Sequence, residues 1–137
     1  MNNGPVFIID DDNDDQELVE QVWKDLALTN PLLFFDMGDK VLDHLKQDDT
    51  APFLIICDVN LPKMDGFELR QNLLDIPSMN YRTIPFIFWS SEASTTQIKK
   101  AYDVGGHGFF IKESRYEALK QQFTDIIHYW QKSQSPE

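Results

Sequence analysis

Acidic, hydroxyl and amine side chains follow four of the apolar runs in this sequence, at the point where each run ends. They are Asp10, Asp11 and Asp12 after residues 6–9, Asp58 after 53–57, Ser90 and Ser91 after 84–89, and Lys112 after 107–111. If the apolar runs are parallel strands of one sheet, their carboxyl ends meet along one edge. The sequence then predicts a pocket that holds several carboxylates, one or two hydroxyls and one ammonium group.

This set of side chains is suited to phosphate chemistry. Carboxylates packed closely raise one another's pKa unless a cation lies among them, and Mg²⁺ suits one or two carboxylates together with phosphate oxygens. Lys112 offers a positive charge for phosphate, and Ser90 offers a hydrogen-bond donor. Asp58 could attack phosphorus as a nucleophile, while the metal and Lys112 offset the charge on the phosphoryl oxygens. The chemistry indicated is phosphoryl transfer to a carboxylate.

The elements that must position these residues alternate along the chain. Strands are predicted at 6–9, 32–35, 53–57, 84–89 and 107–111, and helices at 14–27, 40–45, 67–74, 95–104 and from 114 to about 132. The strands are continuous apolar runs, which is typical of a sheet that is covered on both faces. The pattern predicts an α/β fold with a doubly wound, five-stranded parallel sheet and helices on both sides.

The helices differ in how clearly their ends and buried faces can be predicted. Capping boxes are predicted at Asp65 with Glu68 and at Ser114 with Glu117. The first helix shows the apolar stripe Leu18, Val22 and Leu26, and the fourth has only Ile98, Ala101, Tyr102 and Val104 to bury. The last helix has the broadest apolar face, made of Tyr116, Leu119, Phe123, Ile126, Ile127 and Trp130.

Composition narrows the class of protein. The 137 residues predict one domain, 1–137, with an ordered core of about 4–132. The net charge of −11, without a cluster of basic residues, argues against direct binding to nucleic acid. No apolar run is long enough for membrane insertion, and the single Cys57 favours a reducing, cytoplasmic location. Cys57 itself is expected to be a small buried apolar residue.

Four stretches of the sequence, in order, resemble the signatures of response-regulator receiver domains: FIIDDDNDD, LIICDVNLPKMDGFEL, IPFIFWSSEA and GGHGFFIK. The resemblance implies a flavodoxin-like sheet with the strand order 2-1-3-4-5. It also implies a role for particular residues. These are Asp58 as phosphoacceptor, Asp10, Asp11, Asp58 and Asn60 as metal ligands, Ser90 and Lys112 as phosphate contacts, Ser90 and Phe109 as switch residues, and Pro62 and Gly66 in the loop after the phosphoacceptor.

The function implied by the resemblance is a phosphorylation-dependent switch in two-component signalling. A sensor histidine kinase or a histidine phosphotransfer protein would donate the phosphoryl group to Asp58 with Mg²⁺ bound. The modified domain would then signal through a downstream effector protein. Such a domain is not an enzyme in the ordinary sense, because it only hydrolyses its own phosphate slowly.

The sequence departs from the family pattern in three places. Glu113 follows Lys112, where the family usually has a proline joined by a cis bond. Because a cis bond before a residue other than proline costs about 2.5–4 kcal/mol, a trans bond is expected here. Phe109 lacks the hydroxyl of the commoner tyrosine, so any switch there must act through packing. The connection over 76–83 is also long and suggests no function by itself.

Other interpretations compete with the switch. Asp12, Asp14 and Asp15 are best explained as acids at a helix start, and Ser90 and Ser91 could cap the next helix. The histidines His44, His107 and His128 are interpreted as structural or surface residues. A degenerate receiver would be an interaction module that works without phosphorylation. A haloacid-dehalogenase-like phosphatase would need a further acidic strand end after the lysine, and a flavodoxin-like flavin carrier would need a phosphate loop where the three aspartates stand.

Overall fold

The computed structural model describes residues 3–48, 50–77, 81 and 83–134, and strands and helices alternate along it. The strands are β1 (Val6–Ile9), β2 (Leu32–Phe35), β3 (Leu54–Cys57), β4 (Phe86–Ser90) and β5 (Gly108–Ile111). The helices are α1 (Asn13–Asp25), α2 (Gly38–Gln47), α3 (Gly66–Leu74), α4 (Thr95–Asp103) and α5 (Tyr116–Lys132). The predicted elements are all present, with ends that move by a few residues.

The five strands form one parallel sheet in the order β2-β1-β3-β4-β5. Val6 of β1 is in register with Leu32 of β2 on one side and with Leu54 of β3 on the other. Every residue of β1, β3 and β4 is buried, whereas the edge strands β2 and β5 are partly exposed. The predicted fold class and strand order are therefore confirmed.

Alternation along the strands sends side chains to two separate cores, because successive side chains of a strand point to opposite faces. Phe7, Ile55 and Phe88 pack on one face against α2, α3 and Ala101 of α4. Ile8, Ile56 and Trp89 pack on the other face against α1 and α5. Both faces of the sheet are thus covered. In the part of the chain that the structure describes, no helix has the length and apolar character that would let it cross a bilayer.

Local capping explains where some helices begin and corrects one prediction. Asp65 and Glu68 form the predicted capping box of α3. The predicted box of Ser114 with Glu117 is wrong, because α5 begins one residue later, with Arg115 as its N-cap and no side-chain capping bond. The suggestion that Ser90 or Ser91 caps the next helix is also wrong. Ser90 ends β4, and Ser94 caps α4 in a box with Gln97.

The buried face of α1 is rotated from the predicted stripe. Val22 is buried as expected, but its buried neighbours are Val19 and Trp23, while Leu18 is exposed. A stripe with a strict spacing of four drifts around a helix that has 3.6 residues per turn, so the buried face follows positions three and four apart instead. The apolar face of α5 is as predicted, with Leu119, Phe123, Ile126 and Ile127 buried and Tyr116 and Trp130 packed at its margins.

The long connection before β4 is held by a buried arginine that the sequence did not single out. Arg70 of α3 is 2% exposed, and its guanidinium donates to the carbonyls of Tyr81 at 3.0 Å and Gly105 at 2.8 Å. Arg70 therefore joins α3 to this connection and to the turn after α4. Residues 78–80 and 82, within the long 76–83 stretch, lie outside the described residues.

Candidate functional site

The predicted site residues lie at one edge of the sheet, where backbone hydrogen bonds between neighbouring segments continue beyond the ends of the strands. The amide of Asp10 donates to the carbonyl of Phe35 at 2.9 Å, and that of Asp58 donates to the carbonyl of Ile9 at 2.8 Å. On the other side, the amide of Lys112 donates to the carbonyl of Ser90 at 2.8 Å. Because these bonds fix the backbone of each strand end, the side chains of distant segments converge.

Lys112 forms the centre of this cluster. Its ammonium nitrogen lies 2.7 Å from Oδ2 of Asp15, 2.9 Å from Oδ2 of Asp10 and 3.0 Å from Oδ2 of Asp58. It also lies 4.9 Å from the centre of the Trp89 ring, in the range of a cation–π contact. Burial opposes the charged form of Lys112, but its hydrogen bonds and charge interactions with carboxylates more than offset this and raise its pKa. The lysine therefore stays protonated.

Asp10 is the most buried carboxylate of the cluster, at 0% exposure. Burial raises the pKa of Asp10 to about 7, although the Lys112 ammonium and the amide of Asp12 favour the charged form. Oδ1 accepts the Asp12 amide at 2.9 Å. Oδ2 lies at ion-pair distance from Lys112 but has no well-aligned hydrogen bond, which leaves a buried oxygen with unused acceptor capacity.

The carboxylates of Asp10, Asp11 and Asp58 could hold a metal ion together. One ligand oxygen from each lies within 4.8 Å of the others. Asp11 is exposed, so the group opens to solvent on one side. An all-oxygen donor set and the poorly satisfied Oδ2 of Asp10 fit a hard cation such as Mg²⁺. The residues present therefore fit the metal that the sequence analysis predicted.

The loop after β3 shapes the surroundings of Asp58. The amide of Asn60 donates to Oδ1 of Asp58 at 3.3 Å, and Asn60 is exposed beside it. The loop then turns back, so that the amide of Gly66 donates to the carbonyl of Val59 at 2.8 Å. A Cβ atom on Gly66 would lie 2.4 Å from the Asp58 carbonyl oxygen, which explains the glycine. The turn contains Pro62, whose carbonyl accepts the amide of Met64 at 2.7 Å.

The two predicted switch residues lie on β4 and β5. Ser90 is fully buried, and its hydroxyl oxygen accepts the amide of Glu92 through a long bond of 3.4 Å. Phe109 is half-buried and stacks on Phe88 with ring centres 6.2 Å apart. No cis peptide bond occurs among the described residues, so the bond between Lys112 and Glu113 is trans, as expected.

The structure confirms a structural role for Asp12, Cys57 and His107, whereas Asp15 takes part in the site. Asp12 caps α1 by accepting the amides of Asp14 and Asp15. Cys57 is fully buried, and burial, with the nearby carboxylates of Asp58 and Asp10, raises the pKa of its thiol, so it remains neutral. His107 accepts the amide of Phe86 at 3.0 Å. Asp15, however, was attributed to the helix start and is the nearest carboxylate to Lys112. Nothing in the sequence separates it from Asp14.

The family model described as "Response regulator receiver domain" matches residues 6–124, and the chain belongs to this family, which is regulatory. Among curated proteins, the probable methanogenesis regulatory protein FilR2 of Methanothrix harundinacea is 25% identical over 129 residues, covering 91% of this chain and 82% of that protein. Response regulator Rcp1 of Synechocystis is 22% identical over 130 residues, covering 91% and 87%.

Solved structures share the fold closely. The phosphorylated cyanobacterial phytochrome response regulator RcpA aligns with a TM-score of 0.85 at 22% identity, covering 97% of this chain and 98% of that one. The Mn²⁺-bound form of Rcp1 aligns with a TM-score of 0.81 at 22% identity, covering 96% and 98%. At this identity, the structural likeness supports the fold.

Proposed function

We propose that this chain is a phosphorylation-dependent signalling switch that accepts a phosphoryl group on Asp58. The observation that carries the proposal is the arrangement around Asp58, which is 7% exposed and lies beside Asp10, Asp11 and the Lys112 ammonium. Carboxylates gathered around the protonated ammonium of Lys112 are suited to binding a metal ion and a phosphoryl group together. Residues 1–137 would act as a single receiver domain in the cytoplasm, where the buried thiol of Cys57 stays reduced.

The transfer needs an activated phosphoryl donor, which would be a sensor histidine kinase or a histidine phosphotransfer protein. An oxygen of the Asp58 carboxylate forms a bond to phosphorus while the bond from phosphorus to the donor's imidazole nitrogen breaks. The imidazole, which carries a proton on its other ring nitrogen, leaves with the electron pair of the broken bond and ends neutral. The product is an aspartyl phosphate, which the domain later hydrolyses slowly.

Each nearby residue has a defined task in this proposal. Asp10, Asp11 and Asp58 would hold Mg²⁺ with the backbone carbonyl of Asn60. When bound, Mg²⁺ would offset negative charge on the phosphoryl oxygens. Lys112 would contact the phosphoryl group, and the buried Ser90 hydroxyl would donate to it, because its bond to the amide of Glu92 uses the hydroxyl oxygen only as an acceptor and leaves its hydrogen available.

The signal would leave through the face formed by α4, β5 and α5. Phe109 connects this face to the core through its contact with Phe88. A groove of about 450 Å³ crosses the face, and its lining includes Tyr102, Phe109 and Trp130. Phosphorylation would draw Ser90 towards the phosphate and shift Phe109, which changes the surface available to an effector protein. The aromatic lining supports a protein partner, since aromatic residues are enriched at interfaces.

Intact mass spectrometry after incubation with Mg²⁺ and acetyl phosphate tests the proposal. We expect one added phosphoryl group in the wild type, none without Mg²⁺ and none in Asp58→Asn. Asp43→Asn is the matched control, because Asp43 is an exposed acid on α2, and it should accept the group normally. An adduct that persists in Asp58→Asn would contradict the assignment of the phosphoacceptor.

Beryllofluoride with Mg²⁺ provides the second arm, because some receivers do not react with small donors. Amide shifts near Asp58 and on α4 are expected upon its addition. If neither acetyl phosphate nor beryllofluoride altered the protein, the degenerate receiver would replace the switch as the better description.

A further inference from the structure

Lys112 has a carboxylate partner that does not belong to the candidate metal group of Asp10, Asp11 and Asp58. The ammonium carries three hydrogens, and three carboxylate oxygens surround it, from Asp10, Asp15 and Asp58. The Asp15 contact is the shortest, at 2.7 Å. Asp15 lies in the first turn of α1, whereas Asp10 and Asp58 follow the central strands. The lysine is therefore shared between the candidate metal site and a helix beside it.

The sharing creates a competition. The oxygens of Asp10 and Asp58 nearest to Lys112 belong to carboxylates that also form the candidate metal group with Asp11. A divalent cation that binds these carboxylates must compete with an ammonium already at 2.9 and 3.0 Å. Asp15 is outside the group that holds the cation, so its contact with Lys112 does not have to be broken.

We propose that Asp15 is a positioning residue, which would hold the Lys112 ammonium while the carboxylates of Asp10 and Asp58 bind Mg²⁺ and an oxygen of Asp58 accepts the phosphoryl group. This inference rests on the proposed function and assigns a further residue to the same site. Without Asp15, the ammonium has only the carboxylates that the cation needs, and it opposes metal binding more strongly. With Asp15, the lysine remains beside the site and is available to the phosphate.

The simpler explanation is that Asp15 is one more negative charge near a helix N-terminus and near a cation site. Asp14 provides the matched comparison. It carries the same charge in the same first turn, but its side chain is exposed and lies outside the three carboxylates that surround Lys112. A general electrostatic effect should weaken metal binding similarly when either residue is neutralised.

Titration with Mg²⁺, followed through the indole N–H signal of Trp89 in nitrogen-15 NMR spectra, separates the two explanations. The Lys112 ammonium lies 4.9 Å from the centre of the Trp89 ring, so the indole signal reports on the lysine. The bond from the indole N–H to Gln122, at 3.0 Å, fixes the position of the ring. We expect Asp15→Asn to weaken Mg²⁺ binding about fivefold or more, and Asp14→Asn to weaken it less than about twofold. Asp15→Glu should recover most of the affinity, because it keeps the charge within reach.

The same titration in a Lys112→Met background tests whether Asp15 acts through the lysine. There, Asp15→Asn should have no larger effect than Asp14→Asn. Equal effects of the two aspartates in the wild-type background, or an undiminished effect of Asp15→Asn without the lysine, would overturn the inference. If Asp15→Asn did not fold, Asp15→Ala against Asp14→Ala would test it, with the same difference in Mg²⁺ affinity expected. Failure of the wild type to bind Mg²⁺ would instead count against the proposed function.

Discussion

Helices α4 and α5 lie on opposite sides of the edge strand β5, and they are anchored very differently. Over 17 residues, α5 buries Leu119, Phe123, Ile126 and Ile127. Over 9 residues, α4 buries only Ala101, and it leaves Ile98 and Tyr102 exposed at 37% and 55%. Because burial of apolar surface provides most of the stabilisation, α5 belongs to the stable core and α4 does not.

The difference suggests where the domain can change without unfolding. The capping box of Ser94 with Gln97 and the turn at Gly105 and Gly106 define the ends of α4, and few side chains hold it to the sheet. A helix held in this way can shift at low free-energy cost when a neighbouring strand end changes. We expect α4 to respond to modification of Asp58 while α5 holds its position.

Truncation of a buried side chain on α5 should produce the largest effect. Phe123 is fully buried and packs against Trp23 and Trp89, so Phe123→Ala should lower the free energy of unfolding by about 3–5 kcal/mol. The matched change on α4, Tyr102→Ala, should alter it by less than about 0.5 kcal/mol. Urea unfolding followed by circular dichroism measures both. Similar losses in the two variants would contradict the contrast between the helices.

A change at the end of α4 should have an intermediate effect that is local to that helix. A Cβ atom on Gly106 would lie 2.7 Å from the carbonyl oxygen of Ala101 and 2.8 Å from the Phe88 ring. Gly106→Ala should therefore cost about 1–3 kcal/mol and should speed hydrogen exchange in α4 while α5 stays protected. Gly108→Ala is the control, since its Cβ would come no nearer than 3.3 Å to the end of a side chain. Faster exchange across both helices would argue against a local effect.

The smallest effect concerns the first turn of α5 and depends on pH. The Tyr116 hydroxyl donates to Asp25 at the end of α1, and this bond lowers the pKa of Asp25. Partial desolvation, together with Asp25, raises the pKa of Tyr116 to about 12. A carboxyl group with a lowered pKa stabilises the fold above its unfolded value of 3.8, and this stabilisation is lost as the pH falls through the folded value.

Tyr116 sets the upper pH limit of this stabilisation. Its raised pKa adds stability below the unfolded value of 10.0, and this is lost as the pH rises through about 12. The stability difference between the wild type and Tyr116→Phe should thus be flat between these limits and shrink in acid and in strong base. Thermal unfolding at several pH values measures it. In an Asp25→Asn background the acid limb should disappear, and its persistence would assign the effect to another group.

The sequence allowed most of the site to be predicted because the residues occupy equivalent positions at the ends of apolar runs. Asp10, Asp58 and Lys112 could be placed together once the sheet was predicted to be parallel, since parallel strands bring their carboxyl ends to one edge. Asp15 could not be found in this way. It lies within a helix, and only the packing of α1 against the sheet and α5 decides that Asp15 reaches Lys112 whereas Asp14 remains exposed.

The elements themselves were determined by local pattern, and their mutual orientation was not. Continuous apolar runs and apolar helical faces specify which segments are strands and helices, because burial repeats with the period of each structure. The rotation of α1 onto Val19 and Trp23 and the bond of Arg70 to Gly105 depend on groups far away in the chain. Such contacts form only when whole elements pack together, so the tertiary structure alone decided them.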